Sequence, residues 1–218
     1  MNVQVYCFYL LTGINRKLIL IRVAIVKRNG HGQSAIISDI DYGRIRKALK
    51  AKKSKLLLDI ARYTGERWGA LIQLQVEDVF DLDGKPRDYI TFRASIRKAA
   101  PDGKRQTRQV PTHPHLKELL EGYPSPASGY LFESPIIAGK PISLRAADFM
   151  FRAAVYQAGL DHRGYSTHST RRTFISSLYE RGIDIHTIQK ITGHSDLKSL
   201  VRYIDIHPDR IIAAVSVL

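Results

Sequence analysis

Residues 167–203 read THSTRRTFISSLYERGIDIHTIQKITGHSDLKSLVRY, and three groups within them decide how the rest of the chain is read. In Thr167-His168-Ser169-Thr170-Arg171, His168 and Arg171 stand three apart, so on a helix both project from one face. An imidazole and a forked guanidinium placed there can grip the oxygens of one phosphate, the arginine bidentately. In Thr192-Gly193-His194-Ser195-Asp196, Gly193 fits the stop of one helix and Ser195 or Asp196 can cap the next, which leaves His194 at the junction. Tyr203 follows nine residues later. Along an unbroken helix that spacing makes about 2.5 turns and sets the two side chains on opposite faces, so the break at His194 is what lets them converge. Singly, each group is ordinary: an HxxR pair is a common helix-surface pattern, and one tyrosine among 11 is more often a core or interface residue.

Upstream, Tyr63-Thr64-Gly65-Glu66-Arg67 places Arg67 just after a glycine helix stop, at the start of the next helix. A cation there opposes the helix dipole unless an anion lies opposite. A phosphate would serve, and so would a nearby acid, Glu66 or Asp78. Between these regions Tyr89 to Lys98 alternates like a strand, Pro101-Asp102-Gly103-Lys104 reads as a hairpin tip, and Thr107 to Val110 as the returning strand. Helices are expected from Ser38, with Ser38 and Asp41 as a capping box, over Lys55 to Tyr63 and over Trp68 to Leu74. Further helices are expected at 114–122, 143–159, 168–181, 185–192, 196–206 and 209–216. The architecture this predicts is α+β, mostly helical with a small antiparallel β-sheet.

Ahead of Lys27 the pattern differs. Two short apolar runs, Val3 to Leu11 and Leu18 to Val26, flank a turn at 12–15, and neither reaches the roughly 18 residues of a membrane span. We read residues 1–34 as an N-terminal arm and linker, and 35–218 as one domain including a C-terminal tail. The 218 residues carry 34 Lys and Arg against 20 Asp and Glu, a net charge of +14 that attracts polyanions. A single cysteine, Cys7, excludes an internal disulfide and points to a reducing compartment. The chain has no GxxxxGK[ST] loop, GxSxG elbow, HExxH pair or other ligand spacing for a metal, and His113, His115, His162 and His186 read as surface or capping groups.

Taken in order, Arg67, a hairpin lysine, His168-x-x-Arg171, Gly193-His194 and Tyr203 resemble the tyrosine recombinase (phage integrase) family, over about Lys27 to Asp209. The resemblance implies the DNA breaking-rejoining fold and cleavage of one DNA strand by Tyr203, leaving a 3′-phosphotyrosyl link and a free 5′-hydroxyl, with no metal or other cofactor. Arg67 and Arg171 would neutralise the phosphate, His168 would handle the tyrosyl proton, and His194 would donate a further hydrogen bond. A lysine would protonate the leaving 5′-oxygen, and we assign Lys98 over Lys104 because a strand end is better held than a turn tip. The implied partners are double-stranded DNA, further copies of the chain in a DNA-bound tetramer, and an accessory DNA-binding protein, in the cytoplasm and away from membranes.

Two departures stand out. The family commonly carries an acid three positions after the first arginine, where this chain has Ala70. Members also usually place a helical DNA-clamping domain ahead of the catalytic one, which the first 27 residues are too few to form. Both leave open a DNA-binding remnant without turnover; a type IB topoisomerase-like relaxation and a metal-independent nuclease using His168 and His194 are further alternatives. In the tail, Ile211, Ile212, Ala213, Ala214, Val215, Val217 and Leu218 form an apolar surface that would dock on a neighbouring copy or on the chain's own core.

Overall fold

In the computed structural model, the described residues are 34–99, 103–204 and 215–216. The predicted arm over 1–27 and the greater part of the tail lie outside them. Helix α1 (Asp39–Ala48) begins at Ser38, whose Oγ accepts from the Asp41 N–H at 3.1 Å. The expected capping box is only half made, because the Asp41 carboxylate instead accepts from the Tyr165 hydroxyl at 2.6 Å. Helix α2 (Lys52–Thr64) starts a turn earlier than its apolar residues suggested and buries Leu56, Leu57, Leu58, Ile60 and Ala61. It ends at Gly65, where φ is +59° and a Cβ would also run into the Phe174 ring, so both backbone and space require glycine. Helix α3 is only Trp68–Leu71.

Strands β1 (Tyr89–Phe92) and β2 (Arg108–Pro111) pair antiparallel, with Ile90 opposite Val110 and both buried. The predicted first strand ran on to Lys98; the pairing stops at Phe92. Arg93 turns inward, its guanidinium bonded to the Gln75 side chain and the Gln73 carbonyl and paired with Asp78 at 3.1 Å. A 3-10 turn over Ala94–Ile96 follows. Lys98 therefore leaves a turn and not a strand end, which removes the reason for preferring it over Lys104.

Helices α4 (Pro114–Glu121) and α5 (Leu144–Gln157) complete the main core, α4 against α2 and α5 against α1 and α3. Helix α4 is capped by His113, which accepts from the His115 N–H and stacks on Tyr63. Helix α6 (Thr167–Glu180) packs on α2 through a face that is polar and buried: Ser169, Thr170, Arg171, Thr173 and Ser176. Its hydroxyls are joints. Thr173 Oγ1 accepts from the Ile37 N–H at 2.8 Å, Thr170 Oγ1 from Trp68 Nε1 at 3.1 Å, and Ser176 Oγ donates to the Tyr203 carbonyl at 2.8 Å. Helix α7 (Ile185–Thr192) is capped by Asp184 and stops at Gly193 with φ +65°. Asp196 then caps α8 (Leu197–Val201) by accepting from the Ser199 N–H at 2.7 Å. The predicted helix over 196–206 thus ends at Val201, and Tyr203 lies in the turn beyond it.

Candidate active site

The break predicted at Gly193 and the early end of α8 together bring Tyr203 back to His194, with ring centroids 5.5 Å apart. Beneath them Arg171 is 1% exposed, the largest side chain so buried among the described residues. Its Nη1 donates to the Gly65 carbonyl at 2.8 Å, and its Nη2 reaches the Thr192 carbonyl at 3.1 Å and His194 Nε2 at 3.0 Å. Burial and the neighbouring Arg67 pull its guanidinium down to about 10 against the opposing Glu66, so it stays charged at neutral pH.

His194 is held neutral. Thr192 Oγ1 lies 2.7 Å from its Nδ1 and donates its own proton to the Ile188 carbonyl at 2.6 Å. A hydroxyl has one proton to give, so this network places the ring proton on Nδ1 and leaves Nε2 to accept from Arg171. Burial, Arg171 and Arg67 lower the imidazole to about 3, with Asp196 opposing weakly. The expected role was a donor to phosphate, whereas in this structure both ring nitrogens are engaged within the protein.

Arg67 caps α3 and accepts the Ala70 and Leu71 N–H groups at its carbonyl. Neither acid expected to balance it does so: the Glu66 carboxylate faces Arg108 at 2.8 Å and, more distantly, Arg97 and Arg171, while Asp78 is taken by Arg93. Burial would raise Glu66, but Arg108, Arg171, the Arg67 N–H and Arg97 together hold its carboxyl below the ordinary range. Arg108, lowered to about 10 by burial, lies against the Phe92 ring and donates to the Ile191 carbonyl at the end of α7.

Two cavities meet at Arg67, His194 and Ser199. The smaller, about 430 Å³, is also lined by His168, Arg172, Arg202 and Tyr203, so it gathers four of the expected residues over buried Arg171. The larger, about 890 Å³, is lined by Arg97, Lys98, Lys104 and Lys190. Both candidate lysines face this lobe, not the one that holds Tyr203. His168, second residue of α6, is exposed while Arg171 is buried, so the HxxR pair is split between the cavity and the support below it.

Residues that sequence reasoning missed are Arg97, Arg108, Arg172 and Arg202. Arg97 and Arg202 stand beside Lys98 and Tyr203 in the chain, and that adjacency was the one available signal; Arg108 reads as an ordinary strand residue. Among the described residues, no helix is long and apolar enough to cross a membrane.

The sequence model described as Phage integrase family matches residues 36–210. The chain belongs to the phage integrase family. Within this family it is similar to the putative integrase of Pseudomonas phage Pf1, 37% identical over 112 residues, which is 51% of this chain and 30% of that protein. It is also similar to the probable integrase/recombinase YoeC of Bacillus subtilis, 30% identical over 170 residues, 77% of this chain and 86% of that one. Of the tyrosine recombinases XerC of Chlamydia caviae and XerD of Corynebacterium glutamicum, the match spans 49% of each protein's length. The solved structure of the Tn1549 transposon integrase in complex with transposon right end DNA superposes with a TM-score of 0.67, at 17% identity, over 88% of this chain and 69% of that one. That likeness is one of fold: a mostly helical integrase domain with a small antiparallel sheet.

Proposed function

We propose that this chain cleaves and rejoins DNA strands at specific sites, with Tyr203 as the nucleophile. The observation that carries this reading is the charge of the cleft. Arg97, Arg108 and Arg171 share one carboxylate, Glu66, and Arg67 lines the cleft beside them, next to a tyrosine and a neutral histidine. Buried cations in excess of their partners are costly, and a phosphodiester would supply the missing negative charge.

A phenol, with a pKa near 10, is a weak nucleophile at neutral pH and needs positive charge and a proton acceptor beside it. His168 takes the phenolic proton as Tyr203 attacks phosphorus. Arg67 and Arg171 neutralise the charge that builds on the non-bridging oxygens. The bond from phosphorus to the 5′-oxygen breaks, its electron pair stays on that oxygen, and Lys98, chosen over Lys104 because its neighbour Arg97 is anchored to Glu66 and to the Gln106 carbonyl, delivers the proton. His194 donates to the phosphate once the bound anion raises its proton affinity. Because the phosphotyrosyl ester conserves the energy of the phosphodiester, a 5′-hydroxyl reverses the reaction, and strands are exchanged without a cofactor.

In this reading residues 35–218 form the catalytic domain and 1–34 an arm. Double-stranded DNA is the substrate, a tetramer on DNA is the working assembly, and an accessory DNA-binding protein supplements the grip. Nicked duplexes from the chain's own genomic neighbourhood, incubated in EDTA and then denatured, test it. Wild type is expected to form a denaturation-resistant protein–DNA adduct, and Tyr203→Phe to bind the DNA equally well and form none. Adduct from the variant at the wild-type level, or strand breakage without any adduct, would overturn the assignment.

A further inference from the structure

The position three after Arg67 is Ala70, which is buried and carries no acid, while Glu66 is buried at the centre of the arginine cluster. Its two oxygens face different parts of the molecule. Oε1 accepts the Arg67 N–H at 2.7 Å and lies 3.8 Å from Arg171. Oε2 faces two arginines of the hairpin: Arg108, first residue of β2, at 2.8 Å, and Arg97, within the β1–β2 connection just before Lys98, at 3.5 Å. Arg97 also closes the neck of that connection by donating to the Gln106 carbonyl at 2.7 Å, and its guanidinium occupies the space where a Cβ on Gly193 would lie. One carboxylate therefore ties the lysine-bearing segment to the α2–α3 junction and to the turn that carries His194.

We propose that Glu66 is a positioning residue for leaving-group protonation, acting through Arg97 and Arg108 to fix Lys98 over the reacting phosphate. The proposal rests on the strand-transfer reading above and adds to it the means by which the lysine is placed. Arg171 has other anchors in the Gly65 and Thr192 carbonyls, so loss of the carboxylate falls first on the hairpin. Without it, Arg97 and Arg108 face each other with no anion between them, and Arg97, the more exposed of the two, swings out and takes Lys98 with it.

The test separates this role from a general loss of structure. When the 5′-oxygen at the scissile phosphate is replaced by sulfur, the bond from phosphorus to sulfur breaks, the electron pair leaves on a thiolate, and no proton is needed, since thiols ionise near pH 8.5. Wild type, Glu66→Gln and Arg97→Gln are compared on nicked duplexes that differ only in that atom. Both variants are expected to form adduct about 100-fold more slowly than wild type on oxygen DNA and within about threefold of it on sulfur DNA, the loss that a missing general acid produces. An equal loss on both substrates, or no loss on oxygen DNA, overturns the proposal. If circular dichroism shows Glu66→Gln unfolded, Arg97→Gln decides by the same ratio. Absence of a Tyr203-dependent adduct from wild type on either DNA overturns the strand-transfer reading itself, whereas a wild-type adduct with no sulfur rescue of the variants overturns only the role of Glu66.

Discussion

The cleft lies between two halves built very differently. One half, from α1 to α5 with the sheet, rests on a continuous apolar core running from Ile37 to Tyr165. The other, from the second half of α6 to Tyr203, is centred on Ile175, Ile188 and Leu200, with Phe174, Leu178, Tyr203 and a few others packed around them. Arg67, Glu66 and the hairpin belong to the first; His194 and Tyr203 belong to the second. A small apolar centre cannot by itself hold Tyr203 in register, and polar joints do the holding: Arg171 to Gly65, Trp68 to Thr170, Ser176 to the Tyr203 carbonyl. The lesson is that the base of the site should tolerate lost packing, while the placement of Tyr203 should not tolerate a lost joint.

The sharpest way to break this contrast is at Arg171, which joins the halves. Arg171→Ala strands the buried Gly65 and Thr192 carbonyls, and we expect it to cost about 3–5 kcal/mol in urea unfolding and to abolish adduct formation. Arg171→Lys keeps the charge without the fork and should lower the rate of adduct formation by about 100-fold or more. Next, Leu57→Ala and Leu200→Ala each remove a fully buried leucine, from the large and the small cluster respectively. Each is expected to cost about 3 kcal/mol. At temperatures well below unfolding, Leu57→Ala should keep adduct formation within a few-fold of wild type, whereas Leu200→Ala should lose about tenfold or more. Equal rate losses would erase the distinction between the halves.

His194 supplies a pH test of the seam. Its imidazole is lowered from 6.5 to about 3 by burial and the neighbouring arginines. Between those values the unfolded chain takes up a proton that the folded chain refuses, so stability falls as pH falls, and above 6.5 this contribution is constant. The slope is at most about 1.4 kcal/mol per pH unit. Urea unfolding at pH 6.5 and 4.5 should therefore differ by up to about 2.7 kcal/mol more in wild type than in His194→Asn; identical pH dependence in the two would show that the ring is not held neutral. The smallest effect is expected from Ser176→Ala, about 1 kcal/mol of stability with a several-fold slower adduct formation, read from the same two assays.

Much of the element order was legible because helix ends carry local chemistry: Gly65 and Gly193 stop helices where a left-handed residue is needed, and Ser38 and Asp196 cap them. The hairpin was placed but its first strand was drawn too long, since the inward turn of Arg93 depends on Gln73, Gln75 and Asp78, residues 15–20 positions away. Helix α6 matches the expected 168–181 closely, but what it buries could not be foreseen, because apart from Ile175 its buried residues are hydroxyls and arginines, which no hydrophobic period reveals.

For the candidate site, residue types and spacing in the sequence made Arg67, His168, Arg171, His194 and Tyr203 candidates for handling a phosphate, each ordinary alone, and their order along the chain, through its resemblance to one family, joined them into a set. Which of these face the cavity and which support it was decided by the tertiary structure alone. Burial, and the partners that burial forces each group to find, turned Arg171 into a strut, made His194 Nε2 an acceptor and directed one oxygen of Glu66 to the hairpin arginines in place of the Arg67 guanidinium. Desolvation and through-space charge depend on neighbours distant in the chain, and no local reading of the sequence contains them.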